Sequence, residues 1–374
     1  MMPRYLSLIL PLAVLPALIG CGGTNDPAPV SEEAMAAVSK KNAGAPREWL
    51  ARSVDALFSE SGTGQTTALV VFYNGRIVAE RYAPGYAKTT RLPGGSLSKC
   101  VTGALIGLLV ADGRLRLEEA APVPAWQRPG DPRGEVTLRH LLQMRAGLRH
   151  REAADPTSAS DTTRMLFLDG RDNMAAYAEA QPLETEAGSQ WRYSTATSVI
   201  LADLVARTLT DSHDPALRRQ TVGEYLHARL IEPLGMHSMV PEFDAAGTLI
   251  GGSMIHATAR DWGRLGEFFR NGGAVKGAQI VPSDWIRFMT SPSPANPGYG
   301  AQIWLNRPQP SGQEVLFPGR APASLFACVG DFGQYVLVSP KQHLTIVRMG
   351  YSKASQTPAL RGRLADIVQL FSRD

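Results

Sequence analysis

The chain carries strand patterns at its two ends and helical patterns in between, and no other feature constrains its fold more. Near the start, two β-branched apolar runs at residues 68–72 and 76–81 are joined through Asn74-Gly75. This dipeptide predicts a hairpin, because both central residues of a tight two-residue turn need positive φ. Four more strands are predicted towards the other end, near residues 300–305, 325–329, 334–338 and 344–348. Strands in these places predict one mostly antiparallel sheet built from both ends of the chain.

Helical periodicity dominates between these strands and flanks them. Helices are predicted to begin near residue 47 and to run over residues 96–111, 137–144, 173–180, 194–210, 221–231, 258–270 and 357–371. We therefore predict an α+β fold, in which helices flank the sheet and an all-helical subdomain is inserted. The sheet part covers residues 46–112 and 251–374, and the helical subdomain covers residues 113–250. The cleft between the two parts is the natural place for a functional site.

The first 20 residues predict export. Arg4 supplies a positive charge, and residues 6–20 form an apolar stretch that is too short to span a bilayer as a mature helix. The stretch ends in Leu-Ile-Gly-Cys at Cys21, which resembles the bacterial lipobox, whose cysteine becomes lipidated. We predict a signal peptide at 1–20, a lipidated Cys21 with a flexible tether at 21–45, and a folded domain at 46–374. A short helix over residues 31–41 is an alternative for part of the tether. An ordinary signal peptide with an incidental cysteine is the alternative.

A lipid on Cys21 predicts a lipoprotein that is anchored to the membrane of the cell envelope. Gly22 follows the cysteine in place of the Asp associated with inner-membrane retention. We therefore expect the outer membrane, with the protein facing the periplasm. Two more cysteines, Cys100 and Cys328, lie in the folded part. They could pair in an exported protein, but their apolar surroundings lead us to expect free, buried thiols.

Composition and motifs exclude several classes of function. The formal net charge of +4 comes from scattered arginines, without a basic stripe interleaved with aromatic residues, so no nucleic-acid partner is predicted. The chain has no C-x-x-C, no H-E-x-x-H and no clustered ligand pattern, so we predict neither a metal nor another cofactor. A Ser-His-Asp triad is not predicted either, because G-x-S-x-G is absent and the histidines lack a recognisable serine and acid arrangement. These histidines are His140, His150 and His256.

Ser96 and Lys99 are the strongest candidates for catalysis. They form an S-x-x-K pattern at the first turn of the apolar helix predicted at 96–111, where a spacing of three puts both side chains on one face. A buried lysine with a lowered pKa can take the proton of a serine hydroxyl and so activate it as a nucleophile. Lys99 is one of seven lysines and the only one with a serine three residues before it. The alternative is a helix-capping serine beside a surface lysine.

Residues 95–99 and 108–113 together resemble the serine β-lactamase and penicillin-binding-protein family, and most of all the class C β-lactamase-like esterases and 6-aminohexanoate-dimer hydrolases. Further segments match in the same order, at residues 137–142, 146–148, 232–236, 251–253, 257–261 and 332–335. The similarity extends over about residues 50–370. It implies a β-lactamase/transpeptidase-like fold.

The resemblance also assigns the remaining site residues. Tyr193 stands at the family's tyrosine motif, where its hydroxyl would relay protons among Ser96, Lys99 and the leaving group; Thr195 replaces the usual Asn. The family's K-T-G strand aligns with residues 325–327, which contain no basic residue, so recognition of a substrate carboxylate is in doubt. The backbone N–H of Cys328 would pair with that of Ser96 as an oxyanion hole, and a shift in the alignment would move this role along the strand.

These assignments imply a serine hydrolase that forms an acyl-enzyme on Ser96 and hydrolyses a small-molecule ester or amide. A true β-lactamase or D,D-peptidase is one alternative. A non-catalytic ligand-binding or sensor module on the same fold is another alternative, because the tyrosine motif has Thr195 in place of Asn and the strand aligned with K-T-G has no basic residue. The tryptophans are predicted to be core residues or cleft walls, namely Trp191, Trp262, Trp285 and Trp304.

Overall fold

The structure, a computed structural model, describes residues 29–371, so the predicted signal peptide and Cys21 lie outside the described residues. The helices are α1 (Glu32–Ala37), α2 (Arg47–Ser59), α3 (Ser98–Ala111), α4 (Leu138–Leu142), α5 (Asp161–Phe167), α6 (Met174–Glu179), α7 (Thr195–Leu209), α8 (Pro215–Leu226), α9 (Glu232–Leu234), α10 (Ala259–Arg270), α11 (Ser283–Met289) and α12 (Thr357–Gln369). The strands are β1 (Gln65–Tyr73), β2 (Arg76–Tyr82), β3 (Leu92–Pro93), β4 (Val240–Pro241), β5 (Ile255–Ala257), β6 (Ala274–Val275), β7 (Ala278–Gln279), β8 (Trp304–Leu305), β9 (Phe326–Gly330), β10 (Gln334–Ser339) and β11 (Leu344–Tyr351).

A six-stranded sheet in the order β2-β1-β11-β10-β9-β8 is the frame of the protein. All its neighbouring strands are antiparallel, and the two ends of the chain meet where β1 pairs with β11, for example at Val70 opposite Val347. The turn between β1 and β2 has φ values of 50° at Asn74 and 77° at Gly75. The predicted hairpin and the predicted sheet from both chain ends are confirmed.

Strand β1 is covered on both faces. Leu69 and Val71 pack in one core with residues of α2 and α12, whereas Val70 and Phe72 pack in a larger core with residues of α3 and α10. A strand buried on both faces needs apolar side chains at successive positions. The continuous apolar run in β1 therefore reflects helices on both sides of the sheet.

Helix α7 is the centre of the helical subdomain. The neighbouring helices α4, α6 and α8 pack on it, and it also packs along α3. All residues from Thr195 to Ala206 are buried. This packing brings the N-terminus of α7 beside the N-terminus of α3, where the predicted nucleophile lies.

A small sheet in the order β3-β5-β4 leads the chain into α3. Leu92 pairs with Ala257, and the Gly94 N–H donates to the Ile255 carbonyl at 3.0 Å. The sequence did not indicate this sheet, because strands of two or three residues are too short to show a periodic pattern.

Two predicted segment boundaries are wrong. The helix predicted at 221–231 begins earlier, at Pro215, because the Asp214 side chain caps it, and a π-helical turn replaces its end at His227–Ile231. The folded part also begins before residue 46: α1 packs against α2, and Ala34 and Val38 are 0% and 2% exposed. Among the described residues, the segment expected to be a tether thus contains a packed helix, because Ala34 and Val38 form an apolar face.

The expectation of free thiols is wrong as well. Cys100 and Cys328 form a disulfide with their Cα atoms 6.1 Å apart and a sequence separation of 228. Cys100 lies in the first turn of α3 and Cys328 in the middle of β9, so the bond joins the nucleophile helix to the sheet. This proximity is tertiary and has no local signal in the sequence. In the described part of the chain, no helix has the length and apolar character that crossing a membrane requires.

Candidate active site

Two glycines shape the turn that presents Ser96. A Cβ at Gly94 would lie 2.3 Å from the Trp262 ring, so only glycine fits there, and Gly95 has a φ of 55° that favours glycine. Ser96 follows in a 3-10 turn over Gly95–Leu97 that leads into α3. The Ser98 hydroxyl fixes this turn by donating to the Gly95 carbonyl at 2.7 Å. Ser96 is thereby held at the helix N-terminus with 6% of its surface exposed.

The side-chain nitrogen of Lys99 lies at the junction of three parts of the protein. Its Nζ is 2.9 Å from the Ser96 Oγ, 3.0 Å from the Thr195 Oγ1 and 2.7 Å from the Gly252 carbonyl oxygen. Burial lowers the pKa of Lys99, while the carboxylates of Glu152 and Asp331 act in the opposite direction. The predicted pairing of Ser96 with Lys99 is thus present in the structure at hydrogen-bond distance.

Tyr193 lies beside both residues. Its ring centroid is 4.9 Å from the Lys99 Nζ, and its phenol is close enough to the Ser96 side chain for that side chain to influence its pKa. Burial and the negative charges of Glu152 and Asp331 raise the pKa of Tyr193 well above its ordinary value. Tyr193 is therefore a neutral phenol at working pH, which can donate a proton beside Ser96.

An aromatic cluster lines the site next to Tyr193. The Trp304 ring stacks on Tyr193 with centroids 5.3 Å apart, and Trp191 and Tyr299 complete the cluster. Trp191 and Trp304 are partly exposed, whereas Trp262 and Trp285 are buried in the core. The four tryptophans divide into cleft walls and core residues, as the sequence predicted.

The strand that follows the cleft brings a backbone segment up to the Ser96 turn. Cys328, predicted as the second oxyanion donor, is held in β9 by pairing with Val336 and by its disulfide. The backbone just after Cys328 lies close to the Ser96 turn. A Cβ added at Gly330 would lie 2.4 Å from the Gly94 carbonyl oxygen, and a Cβ added at Gly95 would lie 3.4 Å from the Asp331 backbone nitrogen. The role of the Cys328 N–H stays a prediction, and the structure adds the Asp331 N–H as a second candidate.

The sequence analysis missed an acid that joins the site. The Glu152 Oε1 accepts from the Thr195 hydroxyl at 2.5 Å, and its Oε2 accepts from the Thr195 N–H at 2.8 Å and lies 2.8 Å from the His150 Nε2. Burial tends to raise the pKa of Glu152, but hydrogen bonds from His150 and Thr195 and the charge of Lys99 lower it to about 2. The sequence feature that comes nearest to indicating Glu152 is the His-x-Glu spacing of His150 and Glu152.

The other histidines have structural partners. His140 caps α4 through Thr137, and His256 lies 2.5 Å from Glu242. Asp331, which directly follows β9, lies at the site, where its carboxylate raises the pKa of Lys99. Within residues 29–371, no group of His, Cys, Asp and Glu side chains is arranged to hold a metal ion.

Comparisons with known proteins identify a family and a relative that are similar to this chain. The family model described as Beta-lactamase matches residues 54–369. The 6-aminohexanoate-dimer hydrolase of Paenarthrobacter ureafaciens is 27% identical over 266 residues, which are 67% of this chain and 65% of that relative. The match thus spans less than two thirds of that curated protein.

Solved structures show the same fold. A family VIII carboxylesterase superposes with a TM-score of 0.64 at 16% identity, covering 86% of this chain and 96% of that one. A penicillin-binding-protein homologue from Caulobacter crescentus superposes with a TM-score of 0.59 at 17% identity, covering 84% and 97%. These likenesses confirm the predicted fold class, an antiparallel sheet with flanking helices and an inserted helical part.

Proposed function

The chain belongs to the beta-lactamase family, and on that premise we propose that it is a serine hydrolase that forms an acyl-enzyme on Ser96. One observation carries the proposal: the buried Lys99 Nζ lies 2.9 Å from the Ser96 Oγ. A lysine in this position takes the hydroxyl proton while the oxygen attacks an ester or amide carbonyl. The site residues themselves supply the groups that this chemistry needs.

The reaction proceeds through the groups already described. Lys99 accepts the Ser96 proton as the new C–O bond forms, and backbone N–H groups at Ser96 and at Cys328 or Asp331 stabilise the oxyanion. Tyr193 donates its proton to the leaving group as the C–O or C–N bond of the substrate breaks, and it regains a proton from protonated Lys99. Water then attacks the acyl-enzyme and gives a proton to Lys99, and the bond to Ser96 breaks as the serine oxygen takes that proton back, which releases the acid.

The charges around the site favour neutral esters and amides over substrates that carry a carboxylate, such as β-lactams and peptide termini. The groups that act on Lys99 are the carboxylates of Glu152 and Asp331, and residues 325–327 contain no basic side chain. A substrate carboxylate near the scissile bond would meet negative charge there. The alternative, a true β-lactamase or D,D-peptidase, gains support if nitrocefin or a D-Ala-D-Ala peptide is hydrolysed faster than a matched neutral ester.

Covalent labelling tests whether Ser96 is activated. A brief reaction with a fluorophosphonate should add one adduct to the wild-type protein, as measured by intact-mass spectrometry, because the probe needs a deprotonated serine. The Ser96→Ala variant is the matched control and should remain unlabelled. No adduct under conditions that label a known serine hydrolase would favour the non-catalytic binding or sensor module.

The proposal includes a place in the cell envelope. The apolar N-terminus, the lipobox-like sequence at Cys21 and the disulfide between Cys100 and Cys328 support export, since disulfides persist in oxidising compartments. The lipid would hold the domain on the outer membrane, facing the periplasm. Wild-type protein should sediment with membranes and Cys21→Ala should not; equal distribution of both would contradict the anchor.

A further inference from the structure

Glu152 receives hydrogen-bond donors on both of its oxygens. The Thr195 N–H donates to Oε2 at 2.8 Å and the Thr195 hydroxyl donates to Oε1 at 2.5 Å. The His150 Nε2 also lies 2.8 Å from Oε2, and it must be the donor because an ionised carboxylate only accepts. Thr195 is the first residue of α7, so the positive end of the helix adds to this stabilisation.

This arrangement fixes the direction of the Thr195 hydroxyl. A hydroxyl has one proton, and that proton points to Glu152, so only the lone pairs of the Thr195 Oγ1 remain for the Lys99 Nζ at 3.0 Å. The Gly252 carbonyl, 2.7 Å from the same Nζ, can only accept. Two of the three neighbours of Lys99 are therefore obligatory acceptors.

The consequence appears when Lys99 is neutral. A neutral amine has two N–H bonds and one lone pair. The two N–H bonds are directed to Thr195 and Gly252, so the lone pair is directed to the third neighbour, the Ser96 Oγ at 2.9 Å. If the Thr195 hydroxyl turned round, its proton would compete with the Ser96 proton for that lone pair.

We propose that Glu152 is a positioning residue, which acts through the Thr195 hydroxyl to direct the lone pair of neutral Lys99 onto Ser96, with His150 holding the carboxylate in place. The inference rests on the proposed function. It adds to the Ser96, Lys99 and Tyr193 set a residue from the loop before α5, whose hydrogen bonds go to Thr195 and His150.

The substitution Glu152→Gln tests the direction of the hydrogen bonds. Its single amide oxygen would take the Oε2 position, where the Thr195 N–H and His150 converge, and would leave an NH₂ group facing the Thr195 Oγ1. The hydroxyl would then donate to Lys99. We expect the second-order rate constant for fluorophosphonate labelling of Ser96 to fall about 10- to 100-fold, the range of a lost hydrogen bond to a charged group.

A double-mutant cycle separates this mechanism from a general structural effect. Thr195→Val removes the hydroxyl but keeps the backbone N–H to Glu152, and Thr195→Ser keeps the hydroxyl and should label nearly as fast as wild type. In the Thr195→Val background, adding Glu152→Gln should slow labelling by less than about 3-fold further, because there is no longer a hydroxyl whose direction could reverse. If the losses from Glu152→Gln and Thr195→Val simply multiply, the inference is wrong.

The pH dependence of labelling gives a second readout. The groups that face Lys99 are the carboxylates of Glu152 and Asp331 and the phenol of Tyr193. The Glu152 carboxylate raises the pKa of Lys99, so Glu152→Gln should lower that pKa. The acid limb of the pH profile, where protonation of Lys99 slows labelling, should therefore move to lower pH in this variant. Glu186→Gln, an exposed carboxylate of the same subdomain, should leave both rate and limb unchanged.

The outcomes distinguish this inference from the function on which it rests. A wild-type protein that is not labelled at all overturns the hydrolase proposal and the inference with it. A wild type labelled at Ser96, together with a Glu152→Gln variant of unchanged rate and unchanged acid limb, overturns the inference alone.

Discussion

Replacing Ser96 with alanine should abolish turnover of any ester or amide that the wild-type protein hydrolyses. The Ser96 Oγ is the atom nearest Lys99 that can form the acyl-enzyme, and a water molecule in its place would lack the fixed geometry of the turn. We expect kcat/KM to fall on the order of 10³- to 10⁶-fold, as in serine hydrolases that lose their nucleophile.

Steady-state hydrolysis of p-nitrophenyl esters of increasing acyl length measures this loss. Ser189→Ala, at an exposed serine of the helical subdomain, is a matched control that should retain wild-type rates. Unchanged hydrolysis by Ser96→Ala, in protein with a wild-type circular dichroism spectrum, would falsify the assignment of the nucleophile.

Removing the disulfide should give the largest loss of stability. The bond between Cys100 and Cys328 spans 228 residues of sequence, so it restricts the unfolded chain strongly. We expect Cys100→Ala/Cys328→Ala to lower the free energy of unfolding by about 2 to 5 kcal/mol. Unfolding in urea, followed by tryptophan fluorescence, measures this change.

Reductant provides the control for that measurement. The wild-type unfolding midpoint should fall when dithiothreitol is added, whereas the double variant, which has no bond to reduce, should be insensitive to it. A variant as stable as the oxidised wild type would show that the bond does not contribute to stability.

The sequence predicted the groups that lie on regular elements. Ser96 and Lys99 are one turn apart at the start of an apolar helix, and Tyr193 lies just before a helix with clear periodicity, so local pattern and family resemblance both apply to them. The sheet was predictable for the same reason, because each long strand has its own apolar run.

Groups that reach the site through tertiary contacts were not predictable. Glu152 lies in an irregular segment between α4 and α5, and its link to Thr195 depends on how that segment crosses the N-terminus of α7. Asp331 reaches the Ser96 turn only because β9 ends beside Gly94 and Gly95. The disulfide likewise depends on α3 packing against β9.

The position of the Lys99 Nζ makes the chemistry depend on complete folding. Its three neighbours belong to the nucleophile turn, the helical subdomain and the chain segment that returns to the sheet, through Ser96, Thr195 and Gly252. If any of these parts separates, water reaches the lysine, and its pKa returns towards about 10.4. A protonated lysine cannot take the serine proton, so a partly unfolded molecule is chemically inert. The arrangement that activates Ser96 therefore requires all three parts to be docked together.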